Sequence, residues 1–273
     1  GFGACAPVPG RRRPPGAEGS WGSPGDQLRD YQSLRAPGGL DAMLAVPRRT
    51  LHNITDAWTA PQHLRLLVTE FNLFDRCGPV RLTWAHALYT ALMAQRILAH
   101  KRIDLACYHA LGGNPMFTAL FTFNDTFAGL QLPGVHPPVT TVGTPSAPGL
   151  ALSTLNRAAS GAAFAHEVTA ASSAGASLWS LATNVSGFVF TSADASAQGL
   201  WLINSGATTA QLTIQLRGVD TSTLRGVVAE EWSHPDPTAW LARPGEELSS
   251  RRAELTDTVH IAPYALLFTS GAS

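Results

Sequence analysis

Glu70 is the residue whose type and position in this sequence most suggest chemistry. It directly follows Leu64–Thr69, an apolar run typical of a strand covered on both faces. A carboxylate beside a buried strand is costly to desolvate, so it needs hydrogen bonds, a neighbouring cation or a catalytic role. A partly exposed glutamate at the start of a loop is the simpler interpretation, and both stay open at this point.

A second polar group follows the next apolar run. Ile103–Cys107 predicts a strand that ends at Tyr108 and His109. The carboxyl ends of parallel strands share one edge of a sheet, so we expect Tyr108 and His109 near Glu70, facing a common pocket. A strand end with a satisfied imidazole is the alternative. Two loop asparagines are expected to reach the same edge: Asn72 and Asn114.

The helix between these strands is the clearest periodic element. Residues 82–100 are rich in alanine and leucine at helical spacing, and Thr83 is suited to an N-cap. Strand, helix and strand in this order predict a βαβ unit. We expect His86 and His100 on the solvent-facing side of the helix. An earlier helical pattern, residues 40–58, contains Pro47, which should kink or divide it.

The character of the sequence changes towards both ends. Residues 1–39 are rich in glycine and proline and predict a low-complexity, disordered segment. A further helix is predicted over 150–164. Strand-length segments separated by turn residues then favour an antiparallel β-sandwich. These segments are 178–183, 187–191, 200–204, 210–216 and 259–268. The predicted domains are therefore 1–39, 40–165 and 166–273.

The order of these motifs resembles the carboxy-terminal part of a clan-A glycoside hydrolase, with the α-L-arabinofuranosidase branch as the best match. The motifs that carry the resemblance are 68–72 (Val-Thr-Glu-Phe-Asn), 83–85 (Thr-Trp-Ala), 104–109, 199–204 and 262–268. The resemblance implies an α/β plus all-β protein. Its first part would be a partial (β/α)8 barrel remnant, the last two strands with their helices. An antiparallel β-sandwich would follow.

The resemblance also implies an activity and a site. The enzyme would hydrolyse terminal α-L-arabinofuranosyl residues with retention of configuration, acting on an arabinose-containing oligosaccharide or polysaccharide. Glu70 would be the catalytic nucleophile. The predicted substrate-binding residues are Asn72, Tyr108, His109 and Asn114.

The acid/base partner of Glu70 is expected outside this sequence. Retaining hydrolysis needs a second carboxylic acid about 5 Å from the nucleophile. In the resembling family it follows an asparagine on the fourth barrel strand, and no asparagine–glutamate pair precedes Glu70 here. A complete barrel needs about 250 residues, whereas only 69 precede Glu70. We therefore expect a fragment of a glycosidase that is inactive by itself.

Composition restricts the partners. Nineteen basic and nineteen acidic residues balance, which argues against nucleic acid or an anionic membrane as a partner. No apolar run reaches the roughly 18 residues of a membrane span. No histidine or cysteine has ligand-spaced partners, so neither a metal nor a cofactor is predicted. Residues 1–20 lack the apolar stretch of a secretory signal, which favours a cytoplasmic protein over a secreted one.

A non-enzymatic interpretation stays open beside the glycosidase. The β-sandwich could be the functional unit, as a carbohydrate-binding or structural module, with the barrel remnant vestigial. The position of Glu70 at the strand edge shared with His109 is what separates the two interpretations.

Overall fold

The structure is a computed structural model that describes residues 31–56, 63–73, 79–112, 118–121, 141–168, 184–214, 218–241 and 243–270. The chain divides into two compact units. The first comprises the described residues within Gly1–Thr90, Arg102–Leu150 and Asp236–Glu247. The second comprises those within Ala91–Lys101, Ala151–Pro235 and Leu248–Ser273.

Two parallel strands form the sheet of the first unit. Strand β1 (Leu66–Phe71) pairs with β2 (Ile103–Tyr108). The register shifts between Val68 and Phe71, which face Ala106 and Tyr108 respectively. Strand β1 thus carries one residue more than β2 over this stretch, a bulge that re-aims the side chains just before its end.

The prediction that β1 is covered on both faces is wrong. Leu67 and Leu105 face each other across the pair and are 61% and 55% exposed. Cys107 of β2 is exposed as well. A strand inside a larger parallel sheet has neighbours on both edges. Among the described strands, however, β1 and β2 pair only with each other.

Along the chain, the described residues include helices α1 (Gly39–Asp56), α2 (Trp84–Ala99), α3 (Ala147–Ala158) and the short α4 (Pro244–Glu247). Helix α1 continues through Pro47 and is not divided there. Residues 31–35 are also helical, and Leu34 among them is buried. Residues 1–30 of the predicted low-complexity segment lie outside the described residues. No helix in the described ranges has the length and apolar character needed to cross a membrane.

Helix α2 is buried through most of its length, which corrects one expectation. Every residue from Trp84 to Gln95 is buried, so His86 does not face solvent as predicted. The cause is composition: apolar residues surround the helix, and Arg96 is its one charged residue. Such a helix has no polar face to turn outward and is therefore buried. His100, just after the helix, is half-buried.

The second unit is built on a large antiparallel sheet. Its six strands are β3 (Phe164–Val168), β4 (Val185–Thr191), β5 (Ala197–Asn204), β7 (Val228–Ser233), β8 (Ser249–Glu254) and β10 (Ala265–Thr269). Their order in the sheet is β3-β4-β5-β10-β7-β8. A separate antiparallel pair consists of β6 (Ala210–Leu212) and β9 (Val259–Ile261).

One hydrophobic core joins the six-stranded sheet to the β6–β9 pair. It includes Val189, Leu200 and Leu267 from the large sheet and Val259 and Ile261 from the pair. Strands β5 and β10 at the centre of the sheet are almost entirely buried. Strand β8, last in the order, is exposed at all six residues.

Several predicted boundaries in this unit are corrected by the structure. The helix predicted to run to Phe164 ends at Ala158, and Phe164 begins β3 instead. The closing strand predicted over 259–268 is two strands, β9 and β10. They are separated at Tyr264, whose φ of 51° is incompatible with an extended strand. The strand predicted over 178–183 lies outside the described residues.

Candidate active site

The ends of β1 and β2 bring Glu70 and His109 together. Glu70 is the last residue but one of β1, and His109 directly follows β2. The distance between Glu70 Oε2 and His109 Nδ1 is 4.0 Å, and the two side chains are 60% and 33% exposed. This distance is too long for a hydrogen bond between the two groups. The carboxylate is therefore accessible to a ligand and has a polar neighbour.

The backbone of His109 is held at both ends by the segment that follows Glu70. Its N–H donates to the carbonyl oxygen of Phe71 at 3.3 Å. Its carbonyl oxygen accepts a hydrogen bond from Asn72 Nδ2 at 2.5 Å. The rings of Phe71 and Tyr108 meet edge to face, with centroids 5.6 Å apart. These contacts hold the ends of β1 and β2 at a fixed distance from each other.

His86 is a member of this cluster that sequence reasoning missed. It lies in the first turn of α2, is 1% exposed and places Nε2 2.7 Å from Asn72 Oδ1. The same oxygen accepts the N–H of Leu73 at 2.7 Å. The sequence carries one signal for this placement: a helix with a single charge cannot have a solvated face for its histidine.

Burial changes the proton affinity of two groups at the site. It lowers the pKa of His86 to about 4, while the contact with the Arg81 backbone oxygen opposes this shift and the charge of Arg81 adds a smaller decrease. The ring is therefore neutral at pH 7. Burial also raises the pKa of Tyr108, so its phenol stays protonated and can donate a hydrogen bond.

The other acidic residue on these strands lies at the opposite end of the sheet. Asp104, near the start of β2, forms an ion pair with Arg65 just before β1, and both side chains are about half exposed. Parallel strands rise about 3.3 Å per residue, which puts Asp104 more than about 10 Å from the edge that carries Glu70. This separation is too large for the roughly 5 Å between the carboxyl groups of a retaining glycosidase.

The remaining predicted residues have separate outcomes. Asn72 and Tyr108 are part of the cluster around His109. Asn114 lies outside the described residues. Within the described ranges, no group of three or more histidine, cysteine, aspartate or glutamate side chains could hold a metal ion.

The arrangement is suited to nucleophilic or general-base chemistry by one carboxylate. Glu70 supplies the oxygen, and the imidazole of His109 supplies a hydrogen-bonding group 4.0 Å from it. The hydroxyl of Tyr108 is buried and its ring packs against Phe71. A carboxylate nucleophile forms a covalent intermediate with carbons that carry a good leaving group, as in glycosidases.

Comparison with known proteins identifies the fold. No protein-family model and no curated protein matches the chain. Among solved structures, a family 51 α-L-arabinofuranosidase from Bifidobacterium longum aligns with a TM-score of 0.55 and 14% identity, over 87% of this chain and 50% of that one. The GH51 arabinofuranosidase from Xanthomonas axonopodis pv. citri aligns with a TM-score of 0.52 and 14% identity, over 90% and 48%.

The chain thus spans about half the length of the solved structures that it matches. At this identity the similarity concerns the fold alone. It confirms the expectation of a glycoside-hydrolase-like fold.

Proposed function

We propose that this chain is the carboxy-terminal part of a retaining glycoside hydrolase that acts on terminal α-L-arabinofuranosyl residues. Glu70 is the nucleophile. Tyr108 and His109 bind the sugar beside it. Asn72 and Asn114 belong to the same rim, by which we mean the edge of the sheet at the carboxyl ends of β1 and β2. The substrate is an arabinose-containing oligosaccharide or polysaccharide. The two solved structures of similar fold described above are both named as arabinofuranosidases.

One observation carries this proposal: an accessible carboxylate and an imidazole lie 4.0 Å apart at the carboxyl ends of adjoining parallel strands. In barrels of parallel strands, catalytic side chains stand at this end. A buried or strand-centred Glu70 would have had no route to a sugar. The exposed apolar pair Leu67 and Leu105 agrees with a parallel sheet whose faces are covered in the parent protein.

The acid/base carboxyl group is proposed to come from the part of the parent barrel that precedes this sequence. The second acidic residue on these two strands is Asp104. It is paired with Arg65 at the amino-terminal ends of the strands, opposite the end that carries Glu70. The first chemical step can proceed without this acid if the leaving group needs no proton. Glu70 then forms a bond to the anomeric carbon as the bond to the leaving oxygen breaks.

This chemistry defines the experiment. The full chain is mixed with 2,4-dinitrophenyl α-L-arabinofuranoside, whose leaving group departs as the dinitrophenolate anion. We expect release of one equivalent of dinitrophenolate and a matching mass increase on the peptide that contains Glu70. Azide should then accelerate turnover, because this anion attacks the glycosyl-enzyme without needing a general base.

Two variants make the result specific. Glu70→Gln should abolish both the burst and the mass increase. Asp104→Asn, which changes a carboxylate of the neighbouring strand away from the rim, should retain both. A burst that persists in Glu70→Gln would disprove the role of this residue. Hydrolysis of unactivated arabinan by the chain alone would contradict the absence of the acid, and arabinan binding without any labelling would favour the carbohydrate-binding module.

A further inference from the structure

A buried imidazole is connected to the Glu70–His109 pair through one amide side chain. His86 Nε2 lies 2.7 Å from Asn72 Oδ1, and Asn72 Nδ2 lies 2.5 Å from the carbonyl oxygen of His109. His86 does not reach the rim itself, because it is 1% exposed within α2. Any role it has in the reaction is therefore exerted through Asn72.

The orientation of the Asn72 amide is fixed by its neighbours. The N–H of Leu73 donates to Oδ1 at 2.7 Å, so this atom is the oxygen of the amide. The other amide atom faces the His109 carbonyl, which accepts only, and is therefore the nitrogen. It follows that His86 Nε2, which faces Oδ1, must carry a hydrogen to form a hydrogen bond.

The second ring nitrogen of His86 also faces an acceptor. Nδ1 lies 3.0 Å from the backbone oxygen of Arg81. A neutral ring has one N–H to give, and burial lowers the pKa of His86 to about 4, so the ring is neutral at pH 7. Only one of the two contacts is then a hydrogen bond at a given moment, and the shorter distance, 2.7 Å against 3.0 Å, favours a hydrogen on Nε2.

We propose that His86 is a positioning residue of the glycosidase site: its Nε2–H orients the Asn72 amide, which holds the His109 backbone and keeps the His109 imidazole beside Glu70. This role rests on the proposed function for the identity of the reaction, whereas the contacts stand independently of it. Loss of the Nε2–H donor would leave the Asn72 oxygen with the N–H of Leu73 as its remaining partner among these contacts, and the amide would be held less firmly. The hydrogen bond from Asn72 to the His109 carbonyl would then be weakened.

The hydrogen bond is tested first by a spectroscopic signature that needs no activity. Nitrogen-15 and carbon-13 spectra of the histidine-labelled full chain should show His86 as the Nε2–H tautomer at pH 7. In Asn72→Ala, which removes the acceptor at Nε2, the hydrogen should move to Nδ1 and donate to the Arg81 carbonyl. An Nδ1–H tautomer in the unmodified chain, or no response to Asn72→Ala, would overturn the proposal.

Two substitutions then separate the two ring nitrogens. Glutamine places an amide nitrogen near the position of Nε2, and asparagine places one near Nδ1. His86→Asn should speed hydrogen exchange of the Asn72 side-chain amide and slow glycosyl-enzyme formation between about 10- and 100-fold, with little change in substrate affinity. His86→Gln should restore most of both properties. Circular dichroism confirms that each variant is folded.

Failure of this inference differs from failure of the proposed function. If the unmodified chain is labelled at Glu70 and His86→Asn reacts at the same rate, the positioning role is wrong while the nucleophile stands. If no variant is labelled, the glycosidase proposal fails. His86 is then judged by the exchange of the Asn72 amide, which must respond to His86→Asn and recover in His86→Gln.

Discussion

Glu70 and His109, on strands separated by a whole helix in the sequence, face each other across 4.0 Å at one edge of a parallel sheet. The Glu70 side chain is accessible, while the His109 backbone is fastened to the segment after Glu70 at both its N–H and its carbonyl oxygen. The reactive group is thus free to meet a ligand, and its neighbour is rigidly placed. This combination is what a substrate-binding rim requires.

Removing the Glu70 carboxylate should affect chemistry without affecting stability. The side chain is 60% exposed, so Glu70→Gln should change the free energy of unfolding by less than about 0.5 kcal/mol. Labelling by the dinitrophenyl arabinofuranoside should nevertheless disappear. Urea denaturation and mass spectrometry of the same preparation check both statements. A large loss of stability would instead indicate a structural role for the carboxylate.

The buried His86 predicts that the protein loses stability in acid. Its pKa is about 4 in the folded chain and 6.5 as the ordinary value. Between these values the unfolded chain binds more protons at this histidine than the folded chain does. The free energy of unfolding therefore falls as the pH decreases from 6.5 to 4. The expected loss from this group is about 3 kcal/mol.

A non-titrating variant isolates the contribution of His86. Urea denaturation at about pH 7.5 and about pH 4 should show a larger loss for the unmodified chain than for His86→Gln, because all other groups titrate in both. Equal losses would mean that the imidazole is protonated in the folded state, contrary to its burial.

The hydrogen bond between Trp201 and Thr154 predicts a stability effect in the second unit. The indole N–H donates to Thr154 Oγ1 at 2.8 Å, and both residues are fully buried. Thr154→Val leaves this donor unsatisfied and should lower the free energy of unfolding by about 1 to 3 kcal/mol. Thr154→Ser keeps the acceptor and is the matched control. A valine variant less damaging than the serine variant would contradict the assigned hydrogen bond.

The exposed pair Leu67 and Leu105 predicts self-association of the isolated chain. A single substitution, Leu67→Lys, should raise the concentration up to which the chain stays monomeric, because it interrupts the apolar patch. Light scattering after size-exclusion chromatography measures this concentration. Val228→Lys, at another exposed apolar position, is the control and should have a smaller effect. Equal effects of the two variants would show that the pair is not the surface through which copies associate.

Sequence reasoning placed the site residues where the apolar pattern was simple. Glu70, Tyr108 and His109 each follow or end a short apolar run, and the strands lie within one residue or two of the predicted positions. Their mutual distance could not be predicted, because it depends on the bulge in β1 and on the Asn72 amide. A general rule for barrel helices predicts a surface position for His86, the partner of that amide, and an almost uncharged helix does not follow this rule.

In the second unit, the differences between the predicted and the observed strands have physical causes as well. Strands β7 and β8 have no apolar alternation that marks a strand, since β8 is exposed on both faces and β7 carries the buried Glu231. That carboxylate is stabilised by Arg251 at 3.3 Å and by the N–H of Ala262 at 2.9 Å, contacts distant in sequence. Tyr264 ends an otherwise continuous strand pattern through its left-handed backbone, which no residue-type rule anticipates.

The exposed strand β8 has a consequence for how molecules of this protein meet in solution. An edge strand leaves backbone hydrogen-bonding groups unpaired, so another extended chain can add to it, and such additions lead to fibrils. The edge strand β8 carries Arg251, Arg252 and Glu254, all exposed to water. A second copy laying the same strand alongside in parallel register would bring the guanidinium groups of Arg251 and Arg252 close to their own duplicates, which disfavours that pairing.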